Sequence, residues 1–83
     1  MPKRKNRIAV FASEPVTGRI GGLGIRQLEI TRVLSSLFEV RLLTPYEITD
    51  HNEKFAIKKI SYEYPNTIET HVRWADVIYA HHP

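Results

Sequence analysis

The run Thr17-Gly18-Arg19-Ile20-Gly21-Gly22-Leu23-Gly24-Ile25-Arg26-Gln27 separates an apolar stretch, Ile8 to Ala12, from an amphipathic stretch, Gly24 to Leu37. A strand, a glycine-rich turn and a helix start in this order narrow what the chain can fold into. Glycine lets the backbone approach a ligand closely, and the first helical turn offers unpaired N–H groups with a favourable dipole. The order predicts a pocket for a phosphate, a nucleotide or a sugar phosphate. The competing reading is a loop whose glycines only permit tight turns.

Four segments read as strands: Ile8 to Ala12, Glu39 to Leu43, Ile57 to Tyr64, and Asp76 to Ala80. The first and last are apolar on both faces, the pattern of buried parallel strands. In the helix over Gly24 to Leu37, residues Ile30, Val33, Leu34 and Leu37 fall at helical spacing and form the expected core stripe. A shorter helix is expected from Thr67 to Arg73, with Asn66 as its cap and Glu69 completing a capping box. Strand–helix–strand–strand–helix–strand predicts an α/β, Rossmann-like parallel sheet in the order 3-2-1-4. Two helices are few for covering both faces of such a sheet. Residues 8–83 therefore read as the incomplete front part of a larger domain, behind a basic, disordered leader over residues 1–7.

The 83 residues allow one small domain, and a chain this short buries only about 60% of its unfolded surface. Apolar and charged fractions of 42% and 25% are ordinary for a soluble globular domain. No apolar run approaches the roughly 20 residues of a membrane span, and no signal-peptide pattern follows the leader. With no cysteine, disulfides and thiolate metal sites are excluded, and a cytoplasmic setting is expected. The net charge of +3 is local, since Lys3, Arg4, Lys5 and Arg7 supply it and the remainder sums to slightly negative. No basic–aromatic interleaving supports nucleic-acid binding. The leader either keeps the terminus solvated or makes weak contact with anionic lipid, peripheral at the inner membrane.

Specific chemistries can be tested in turn. Gly22-Leu23-Gly24-Ile25-Arg26-Gln27 begins a dinucleotide fingerprint, but Gln27 stands where the third glycine belongs and no acidic residue follows at the ribose position. A Walker-type loop fails for want of Gly-Lys-Ser/Thr. A receiver domain fails because Ala12-Ser13-Glu14 lacks the acidic pair for magnesium. Helical projection puts Arg26 on the stripe of Ile30, Val33 and Leu37, with Gln27 at its edge. Arg26 then either meets an anion in the crevice, or reaches solvent or Glu29. His81 and His82 end the fourth strand and point to opposite faces, so they cannot chelate one metal as a pair. One of them can face the glycine loop and orient a hydroxyl or carry a proton. His51 and His71 receive no role, and no metal site is expected.

Gly21-Gly22-Leu23-Gly24-Ile25-Arg26, Glu29-Ile30, Arg32-Val33-Leu34 and Phe38-Glu39-Val40-Arg41-Leu42-Leu43-Thr44-Pro45 together resemble the opening of GT-B fold glycosyltransferases. The nearest group is the retaining, nucleotide-sugar-dependent glycosyl transferase group 1, of the family 4 type. Ala75-Asp76-Val77-Ile78-Tyr79-Ala80-His81-His82-Pro83 resembles that family's fourth-strand motif. The chain departs from the common pattern of that family at Tyr79, where histidine is frequent, and at Gln27, where histidine also occurs in relatives.

The resemblance implies that Gly22 and Gly24 lie against the donor diphosphate and the acceptor, and that His81 sits near the reacting sugar. Together with the residue reading it gives a candidate site. His81 is the catalytic candidate, and Gly21, Gly22, Gly24, Arg26, Gln27 and His82 are the binding candidates. The partners implied are a sugar acceptor, a nucleotide-sugar donor and a C-terminal donor-binding domain, with no separate cofactor. Without that second domain the chain is expected to be inactive. The alternative is a non-catalytic Rossmann-like module that holds an anion or a partner protein.

Overall fold

The computed structural model describes residues 6–12, 22–49, 51 and 53–80. Ile8, Ala9 and Val10 are buried in succession, so β1 (Arg7–Phe11) has no solvent face and sits inside the sheet. After it come α1 (Gly22–Ser35), β2 (Glu39–Thr44), β3 (Ala56–Lys59), α2 (Asn66–Trp74) and β4 (Val77–Ala80). The sheet is entirely parallel in the order β3-β2-β1-β4, as the sequence predicts. Among the described residues the result is a small α/β unit of four parallel strands and two helices.

Strand alternation sends neighbouring residues to opposite faces. Ile8, Val10, Val40, Leu42 and Ile57 join Phe55 and the α1 residue Leu28, with Leu34 packed alongside. On the other face Ala9, Leu43 and Ile60 meet Phe11 and, from the α2 side, Ile68 and Ala75. The two helices therefore cover opposite faces. Ladder bonds continue past the strand ends, from Ala12 N–H to the Leu43 carbonyl at 2.8 Å and from Ile60 N–H to the Thr44 carbonyl at 2.9 Å.

The structure corrects four expectations. The stripe of α1 is rotated: Gly24, Gln27, Leu28 and Thr31 are buried, whereas Val33 and Leu37 are each 65% exposed. Of the expected stripe, Ile30 and Leu34 are half-buried, and Leu34 packs against the core cluster. The reason is local satisfaction of polar groups. The Thr31 hydroxyl donates to the Gln27 carbonyl at 2.7 Å, so a polar residue enters the core without an unmet hydrogen bond. The helix also ends at Ser35, and Leu37 N–H turns back to the Leu34 carbonyl at 3.0 Å.

β3 stops at Lys59 rather than Tyr64. Ser61 N–H donates to the Thr67 hydroxyl at 2.8 Å, and that hydroxyl donates to the Tyr64 carbonyl at 2.8 Å. These bonds fold 61–64 into a turn and leave Tyr62 and Tyr64 exposed. The same turn replaces the expected capping box. Pro65, not Asn66, precedes the first residue of α2, and no side chain caps it. Finally, β4 is exposed at all four positions rather than buried. It pairs with β1 on one side only, and no described element covers its outer edge.

Candidate functional site

At the carboxyl edge of the sheet, β1 and β4 end side by side, with Phe11 and Ala80 as register partners. From β1 the chain winds through α1 to β2 on one side, and from β3 through α2 to β4 on the other. This reversal is a topological switch point, where open parallel sheets form a crevice beyond the strand ends. Gly21, His81 and His82 lie outside the described residues.

The other four candidates all belong to the first turns of α1, with Gly22 opening the helix. Gly24 is buried in a spot closed to solvent, and Gln27 is only 3% exposed. Arg26 is exposed, which corrects its expected place on the core-facing stripe. The rotation that brings Gln27 inward carries Arg26, about 100° away on the helix, toward water. A buried arginine would have needed a paired charge, and exposure removes that cost.

A second cluster lies at the amino edge of the sheet, on the α2 face. Arg7 N–H donates to the Asp76 Oδ2 at 2.9 Å, and Asp76 N–H donates back to the Arg7 carbonyl at 2.8 Å. This pair clamps the start of β4 to β1. The Arg7 guanidinium is 5.6 Å from the centre of the Trp74 ring. Its Nε is buried without a hydrogen bond, 3.7 Å from the Glu39 carboxylate.

Arg41 from β2 lies closer to the same indole, at 4.1 Å, in a cation–π contact. Its Nη1 donates to His71 Nδ1 at 3.1 Å. Arginine has no acceptor, so this contact requires an unprotonated Nδ1. Burial lowers the His71 pKa below the usual imidazole value, and the Arg41 and Lys58 charges lower it further. A groove of about 550 Å³ opens beside this cluster, walled by Arg41, Lys54, Lys58, Trp74, Phe38 and Phe55 among others.

None of these groove residues entered the sequence-derived site. The available signal was Arg41 itself, a cation inside the apolar run Val40-Arg41-Leu42-Leu43, together with the single tryptophan of the chain. Among the described residues, no group of three or more histidine, cysteine or acidic side chains is placed to hold a metal ion. No described helix is long and apolar enough to cross a membrane. No protein-family model matches this chain, and neither a curated protein nor a solved structure matches it.

Proposed function

We propose that the chain is the acceptor-side, N-terminal part of a nucleotide-sugar-dependent glycosyltransferase of GT-B type. The observation that carries this reading is the Phe11–Ala80 pairing at the β1/β4 switch point. The glycine stretch follows one of these strands in sequence, and His81 and His82 follow the other. Gly22 opens α1 with a backbone that a diphosphate can approach closely, and the buried Gly24 supports that turn from within. In this reading Gly21 extends that approach, Arg26 and His82 flank the ligand from the solvent side, and the buried Gln27 holds the first turns of α1 in place beneath it. His81 orients the acceptor hydroxyl or takes its proton. A donor-binding second domain completes the cleft, and turnover requires both halves. The outer edge of β4, which no described element covers, suits a further strand of the same sheet. The alternative, a non-catalytic anion-binding module, draws its support from the basic groove at the opposite edge.

The test is sugar transfer by a protein carrying this chain together with a donor-binding domain. His81→Ala should lower the transfer rate by about 10²-fold or more if the imidazole acts as general base, with unchanged thermal stability. Normal turnover in that variant, or loss of activity only in step with unfolding, would remove His81 from the chemistry.

A further inference from the structure

We propose that the groove at the amino edge of β2 and β3 binds a phosphomonoester, with Arg41 as the principal anchor. This place is at the opposite end of the strands from the Phe11–Ala80 crevice and does not depend on it. Three cations border the groove, Arg41, Lys54 and Lys58, and none has a carboxylate partner among the described residues. The groove's one carboxylate, Glu39, already faces Arg7. The local field is therefore positive, and the lowered pKa of His71 beside Arg41 and Lys58 agrees with it.

The Arg41 guanidinium is held in advance by the Trp74 ring and by His71 Nδ1. A planar fork fixed in this way loses little freedom when it grips a phosphate, and its other N–H donors remain over for that purpose. Lys58 and Lys54 add point charges from β3 and from the turn before it. The volume, about 550 Å³, falls in the range of small-molecule sites and exceeds what a bare phosphate fills. Phe38, Phe55 and Val40 supply an apolar wall for the organic part. The ligand class is thus a phosphate on a small organic group, drawn either from solution or from an acidic lipid headgroup.

Trp74 is the only tryptophan in the chain and forms part of the groove, so its emission reports occupancy directly. One arm titrates the chain with glycerol 3-phosphate at constant ionic strength. The other uses phosphatidylcholine vesicles with and without phosphatidic acid. A saturable emission change is expected in at least one arm, and the arm in which it occurs identifies the source. Arg41→Gln and Lys58→Gln should each weaken it 10-fold or more, with the far-UV circular dichroism retained. Lys59→Gln, outside the groove and already paired with Glu47, should leave it unchanged. The cations stacked over the indole are Arg41 and Arg7, so the Lys58 variant separates ligand binding from a purely structural effect of Arg41 on Trp74. No saturable change in either arm would overturn the assignment. So would a response that chloride reproduces, or one that Lys58→Gln leaves intact.

Discussion

Phe11 and Ala80 are direct partners in the parallel β1–β4 pair, so the chain leaves both strands from one point on the carboxyl edge of the sheet. Arg7 and Asp76 exchange hydrogen bonds at the other end of the same pair, at 2.9 and 2.8 Å. β4 is thereby fixed to β1 along its length although both of its faces are open to solvent. The juxtaposition of the two strand ends rests on backbone pairing rather than on side-chain burial.

The rotated face of α1 makes a direct prediction about stability. Leu42 is fully buried under that helix, whereas Leu37 is largely exposed. Leu42→Ala should cost about 2–5 kcal/mol, enough to threaten folding in a chain this small. Leu37→Ala should stay within about 0.5 kcal/mol. Leu34→Ala should fall between them, because Leu34 is only half-buried against the core. Urea denaturation of the three variants checks the order. A Leu37→Ala cost equal to that of Leu42→Ala would restore the stripe that the sequence suggested.

His71 gives a pH dependence whose sign follows from its lowered pKa. The unfolded chain binds a proton on this imidazole at higher pH than the folded chain does. The contribution to stability is therefore complete above the unfolded value, about 6.5, and is lost as pH falls through it toward the folded value. Protonation also ends acceptance of the Arg41 hydrogen bond and sets a third positive charge beside Arg41 and Lys58. Melting temperature should fall between about pH 7 and pH 5, and His71→Gln should flatten that slope. A slope that survives the substitution would assign it to another group.

The strand order was legible because each strand carries its own signal. Ile8-Ala9-Val10 is apolar in succession, and Leu42-Leu43 ends at Thr44-Pro45. The face of α1 was not legible, because apolar character and burial separate in this helix. Thr31 and Gln27 enter the core once their polar groups are bonded, and Val33 faces water. The end of β3 was hidden for a related reason. Tyr62 and Tyr64 alternate like strand residues, yet Thr67 draws the preceding backbone into a turn. At the site, the glycines at the start of α1 and the strand ends were readable from their order in the chain. The Arg41–His71–Trp74 contacts were not, since they join residues about 30 positions apart and depend on α2 lying across the starts of β1 and β2.

The central claim is that ligand binds in the crevice at the carboxyl ends of β1 and β4. Amide NMR of the chain titrated with a nucleoside diphosphate sugar tests this most directly. The account predicts that Gly22, Gly24 and Gln27 in α1, with Phe11 and Ala80 at the strand ends, shift together and saturate on one curve. Shifts confined to Arg41, Lys58 and Trp74 at the opposite edge, or no saturable shift at all, would contradict it.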